Sequence, residues 1–127
     1  GRFKLNRKAL PAISLTDPGY LTCVANDFGY DAVFQRGVEA YGSPGDVCVG
    51  FSTSGQSQNV FQAIEYAKKA GCVTVSLLGK DGGQLAGVSD YEWIAPGNST
   101  DRIQELHMLV MHIVIEHVER RLFPELW

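Results

Sequence analysis

Six consecutive residues, Ser52-Thr53-Ser54-Gly55-Gln56-Ser57, carry four hydroxyls and one glycine. They follow Val47–Phe51, an apolar run of strand length and composition, and lead into a segment with Val60, Phe61, Ile64 and Ala67 at helical spacing. A strand–loop–helix unit of this kind aims the first N–H groups of the helix into the loop, and the helix dipole favours an anion there. The hydroxyls of Ser52, Thr53, Ser54 and Ser57 add donors, and Gly55 lets the backbone come close to a ligand. No Lys or Arg lies in the loop, so a phosphate would be held by hydrogen bonds and dipole, without a full countercharge. A plain Ser/Gly turn with Ser57 as N-cap accounts for Ser57 alone.

A second group of polar residues lies near the C-terminus. Asn98–Thr100 caps a helix that the spacing predicts from about Asp101 to Leu122. Leu106, Leu109, Val110, Ile113, Val114, Ile115 and Val118 make it apolar around most of its circumference. Burial on more than one side, in a domain this small, points to an oligomer interface. Asp101, Gln104, Glu105, His107, His112, Glu116 and His117 interrupt that surface. Gln104 and His112 are separated by about 12 Å of rise and about 80° of rotation, a span two inclined side chains can bridge to share a metal or a sugar. Glu105 and His112 are about 20° apart in azimuth, two turns distant. His107 and His117 are each turned about 140° from His112, so the three histidines form no cluster. For those two, surface or interface filling is the plainer reading. For His112 taken alone, it is a satisfied buried imidazole.

The chain that must position these groups has 127 residues, 45% hydrophobic and 20% charged, which suits one soluble globular domain. Its net charge of −3 argues against nucleic acid as a main partner. No apolar run approaches the ~20 residues of a membrane span, and no signal peptide is expected. Cys23, Cys48 and Cys72 are odd in number and sit in apolar stretches, so they read as small buried side chains in a reducing cytoplasm. Leu10–Leu15 is expected as a first strand, Tyr20–Ala25 as one or two helical turns, and Asp31 as the cap of a helix turning Val33, Phe34, Val38 and Tyr41 inward. Cys72–Leu78 and Tyr91–Ile94 read as further strands, with a turn at Gly79–Gly83 between them. Strands alternating with helices predict a doubly wound α/β fold: a parallel, flavodoxin-like sheet with helices on both faces.

These segments together carry a family resemblance. STSGQSQNV after a buried strand, ANDFGYD upstream of it, GKDGGQLA downstream and DRIQELHMLVMHIV in the last helix resemble the SIS (sugar isomerase) fold, and more narrowly the bacterial phosphoheptose isomerases. The similarity runs from about Leu10 to Leu122. It implies an aldose–ketose isomerase converting sedoheptulose 7-phosphate to D-glycero-D-manno-heptose 7-phosphate in carbohydrate metabolism, on the route to lipopolysaccharide heptose. Ser52, Thr53, Ser54 and Ser57 would hold the sugar phosphate, and Asn26 and Asp27 would contact the sugar. Asp101 resembles an acidic residue lining the family's pocket. Gln104 would touch both substrate and zinc. His112 would be a zinc ligand and the acid/base group. The resemblance further implies a cytoplasmic homotetramer with sites at subunit contacts.

It also implies segments that are not in this sequence. Family members carry a helix, a strand and a Gly-Ser loop resembling GNGGSA, then a helix supplying a His and a Glu to zinc and catalysis. Residues 1–127 are therefore expected to be a single SIS domain, N-terminally truncated relative to the family. In the strand order 2-1-3-4-5, the first strand would be missing from between Leu10–Leu15 and Val47–Phe51, leaving a gap lined with unpaired backbone groups. Gln104 and His112 would then be half of a tetrahedral zinc site. The rival reading is a non-catalytic phosphosugar-binding SIS protein of the replication-initiator-associating type, which resembles this chain down to a tail like Leu122-Phe123-Pro124. That type has Arg at the Ser54 position and Asn at the His112 position, and both residues here side with the isomerases.

Overall fold

The computed structural model describes residues 2–127. Three parallel strands, β1 (Val47–Ser52), β2 (Val73–Gly79) and β3 (Tyr91–Ala95), stand in the order β1-β2-β3. Val47 lies opposite Val73, and Val75 opposite Tyr91. Helices α1 (Pro18–Phe28), α2 (Val33–Tyr41), α3 (Gln58–Lys69) and α4 (Thr100–Leu122) complete the α/β alternation, with single turns of 3-10 helix at Tyr30–Ala32, Gly83–Leu85 and Pro124–Leu126. The predicted later strands are present with ends shifted by a residue, as fraying allows.

Alternation along β1 sends its side chains to two different layers. On one face, a Cβ at Gly50 would touch Val60 and Ile64 of α3, so glycine lets that helix lie against the strand. Val60, Ile64, Leu78 and Leu85 form one buried cluster there, and Val38, Ala63, Ala67 and Cys72 another. On the other face, Phe51 and Trp93 pack edge-on against His107 of α4, at 6.0 and 6.2 Å between ring centres. α3 thus covers one face, while α4 covers only part of the other, where Val47, Val49 and Tyr91 stay exposed. The β2–β3 entrance of the sheet is closed by Asp90, whose carboxylate accepts from the Thr74 amide and hydroxyl while its own amide donates back to Thr74 Oγ1. Those bonds, against a smaller cost of desolvation, hold the Asp90 carboxyl below the usual carboxylate range.

Several expectations fail for local reasons. Leu10–Leu15 is not a strand: it pairs with no ladder, and Leu15 instead packs on Gly37 of α2. The helical turns expected at Tyr20–Ala25 are present but belong to a longer, 11-residue helix, started by Pro18 at its first position and by Asp17, whose carboxylate accepts from the Tyr20 amide at 2.9 Å. Asp31 caps nothing, because it lies inside the 3-10 turn that precedes α2. Tyr41 is exposed at the last position of α2, although Val33 and Val38 are buried and Phe34 packs against the core. Cys23 is exposed on α1, whereas Cys48 is half-buried and Cys72 buried; among the described residues none forms a disulfide. The outer edge of β1 pairs with no strand among the described residues, and Val47, Val49 and Phe51 remain exposed on the face that meets α4.

Candidate phosphosugar site

The serine loop starts where β1 ends, at the carboxyl edge of the sheet, where ligands of open parallel sheets bind. Ser52 is only 4% exposed, and its hydroxyl pairs with that of Ser57 at 2.8 Å. Ser57 does occupy the N-cap of α3, but its hydroxyl bonds across the loop to Ser52, not to its own helix. The first main-chain bond of α3 runs from the Phe61 amide to the Ser57 carbonyl, so the Gln58 and Asn59 amides ahead of it have no partner one turn back in the helix. Ser54 Oγ accepts from the Gln56 amide at 3.2 Å, and Thr53 and Ser54 are half-buried at the loop tip. The Ser52 and Ser57 hydroxyls thus pair beside the N-terminus of α3, where the helix dipole favours an anion.

The Gly79–Gly83 turn braces this loop, a role that its description as a turn did not suggest. Gly55 has a φ of +67°, and a Cβ there would lie 1.9 Å from the Gly82 carbonyl oxygen. Its own carbonyl accepts from the Leu85 amide at 3.2 Å. Gln84 Nε2 donates to the Gln56 carbonyl and to Gln58 Oε1, tying the loop to the start of α3. The readable signal was the glycine pair, Gly82-Gly83, with two residues between it and the end of β2.

Helix α4 brings its first turn to the same edge. A Cβ on Gly79 would stand 2.6 Å from both the Thr53 carbonyl oxygen and Ile103 Cγ2, so loop, strand end and helix start meet there. Asp101 and Gln104 flank the buried Ile103 and are exposed. The Ser99 hydroxyl hydrogen-bonds the Asp101 carboxylate and holds it below the usual carboxylate range, so the helix begins with a negative charge.

The three histidines separate as their azimuths require. His107 is a buried residue and not surface filling: one turn beyond Ile103, it points at the sheet, and its Nε2–H donates to the Leu78 carbonyl at 2.7 Å. A carbonyl oxygen can only accept, so this bond fixes the tautomer. His112 is exposed and not the satisfied buried imidazole expected of it in isolation; its ring lies 5.3 Å from that of Phe3. His117 is exposed on the outer surface.

Asn26 and Asp27 end α1 and are exposed; Asn26 Nδ2 donates to Asp27 Oδ1 at 2.9 Å, and nothing described brings them against the loop. A cavity of about 560 Å³ is lined by Ile113, Val114, His117, Val118, Arg121 and Leu122. Another, of about 230 Å³, lies between α2 and α3. Neither is lined by the serine loop, Gln104 or His112. Among the described residues no three His, Cys, Asp or Glu side chains converge. Gln104 and His112 would give two of the four donors of a closed tetrahedral zinc site, so the residues present do not make up such a site. No described helix is long and apolar enough to cross a membrane.

Residues 1–79 match the model of the SIS domain family. The chain is 60% identical over 125 residues to a phosphoheptose isomerase of Fusobacterium nucleatum, covering 98% of this chain and 64% of that protein. It is 55% identical over 124 residues to one of Geobacter sp. strain M21, covering 97% and 65%. The solved structure of a phosphoheptose isomerase from Neisseria gonorrhoeae superposes with a TM-score of 0.81 at 40% identity, covering 84% of this chain and 61% of the other. The chain therefore spans a little under two thirds of the length of these relatives. With its serine loop at the carboxyl edge of a parallel sheet, and the family model matched across that loop, the chain belongs to the SIS domain family.

Proposed function

We propose that this chain is part of a phosphoheptose isomerase that interconverts sedoheptulose 7-phosphate and D-glycero-D-manno-heptose 7-phosphate. The observation that carries the reading is the Ser52–Ser57 loop at the N-terminus of α3, whose backbone meets the first turn of α4 at Gly79. Relatives at 55–60% identity that bear the isomerase name favour it over a non-catalytic binding protein, as do Ser54 and His112.

Aldose–ketose isomerisation moves a proton between adjacent carbons through an enediol, so it needs a base, an acid and donors for the developing oxyanion. In this reading the hydroxyls of Ser52, Thr53, Ser54 and Ser57 and the leading amides of α3 hold the phosphate at one end of the sugar. That grip supplies positioning energy remote from the reacting carbons. Asp101 and Gln104 meet the sugar, Asn26 and Asp27 reach it from α1, and His112 shuttles the proton. A neutral imidazole suits that task near pH 7 and contributes on the order of 10²–10⁴-fold.

Zinc belongs to the proposal with Gln104 and His112 as two of its donors, the others coming from outside the described residues; bound there, it would act as a Lewis acid at the carbonyl. A cytoplasmic homotetramer is part of the same reading. It is supported by the apolar residues Met108, Leu109, Ile113, Val114, Val118 and Leu122, all exposed on α4. The test is proton exchange into the carbon beside the carbonyl of sedoheptulose 7-phosphate, followed by NMR in deuterated water. The full-length protein is expected to exchange, and His112→Ala to lose exchange by at least about 100-fold. Absence of exchange in the unmutated protein would end the enzyme reading.

A further inference from the structure

The far end of α4 carries a carboxylate that the reading above leaves without a task. Glu119 is fully buried, with 0% exposure, on a helix whose other residues at that end are largely exposed. Its two oxygens collect four donors from one short segment. Oε1 accepts from the Phe3 amide at 3.3 Å and from Arg7 Nε at 2.8 Å; Oε2 accepts from the Lys4 and Leu5 amides at 3.1 and 3.3 Å. Arg7 is itself buried and lies over the Phe123 ring. A carboxylate that receives three successive or near-successive main-chain amides fixes the path of that backbone, and the guanidinium supplies the countercharge. The path so fixed carries Phe3 onto His112, two turns up the helix, with ring centres 5.3 Å apart.

We propose that Glu119 is the positioning residue of His112. It binds residues 3–7 to the end of α4, and through that segment seats the Phe3 ring as the wall that limits where the His112 imidazole can turn. This rests on His112 being a working residue of the site, as argued above. The geometry itself concerns only this chain's own side chains, and it can be read without turnover.

The experiment follows the histidine Cε1–H resonances of the protein by ¹H–¹³C correlation, together with amide hydrogen exchange. Phe3→Leu defines the His112 shift without a ring beside it. Glu119→Gln keeps the shape but turns one acceptor into an NH₂ group that cannot receive the amides. In Glu119→Gln the His112 resonance is expected to move to its Phe3→Leu position. The His107 resonance, reporting the sheet, should stay in place, and exchange of the Lys4 and Leu5 amides should rise about tenfold or more. Should Glu119→Gln not fold, Arg7→Lys, which loses the planar donor against the same carboxylate, takes its place with the same expected direction. An unmoved His112 resonance in Phe3→Leu, or in the clamp variant while the amides deprotect, overturns the proposal. An isomerase assay run beside it separates the two readings, because a protein that never turns over can still give either NMR result.

Discussion

The two halves of α4 live in different environments although their sequences look equally apolar. The first half is finished within the chain: Ile103 is buried against the strand ends and His107 against Leu78, Phe51 and Trp93. Beyond them the helix is held, among the described residues, by residues 3–7 and the chain end at 123–127, and from Met108 on it leaves Met108, Leu109, Ile113, Val114, Val118 and Leu122 between 40% and 55% exposed. One helix therefore serves the serine loop at its start and offers an unpaired apolar surface at its end. The difference teaches that apolar residues around a helix do not report burial within one chain. They report only that some surface must cover them.

That division can be broken most severely at the loop end. Gly55→Ala would drive a methyl into the Gly82 carbonyl at a backbone angle that L-residues rarely adopt. The expected loss is about 2–4 kcal/mol of stability, read as a lowered denaturant midpoint. His107→Leu keeps much of the packing but leaves the Leu78 carbonyl without its donor, and should cost about 1–3 kcal/mol in the same measurement. At the other end, Ile113→Glu or Val114→Glu should change the stability of the isolated chain by no more than about 0.5 kcal/mol, since both residues face solvent. The same changes should dissociate the proposed oligomer in sedimentation. A monomeric unmutated protein would show that something else covers that face.

A pH titration sharpens the contrast further. Burial works against the charged form of Glu119, but the bonds from Lys4, Phe3, Arg7 and Leu5 outweigh it, so its carboxyl is held below the usual range. Folded-state depression means that the native protein binds this proton less readily than the unfolded chain. The stabilisation is thus complete above the ordinary glutamate range and is lost as pH falls through the depressed folded value. Glu119→Gln should flatten that part of the acid unfolding curve, while Asp90, depressed by its Thr74 bonds, keeps its own contribution.

The loop was legible because its signal is local: an apolar run, hydroxyls and a helical period lie within about twenty consecutive residues. What was not legible depends on partners distant along the chain. The plain alternative for Ser57, an N-cap, matches its position but not its hydroxyl, whose destination is decided by Ser52 across the loop. His107 and His112 exchanged their expected environments, because azimuth on a helix says which residues differ and not which one meets the sheet. Glu119 drew no attention, since its donors lie 112 to 116 residues away in sequence. Leu10–Leu15 has strand composition but no ladder beside it, and composition alone cannot supply one.

On this reading the serine loop holds a phosphate without any cationic side chain in the loop. Amide chemical shifts of the full-length protein, followed as sedoheptulose 7-phosphate is added, test this directly. The prediction is saturable shifts centred on Ser54–Asn59, weakened at least about tenfold in apparent affinity by Ser54→Ala with Ser57→Ala combined. Shifts that leave Ser54–Asn59 unmoved while another surface responds, or that persist undiminished in the double variant, would contradict it.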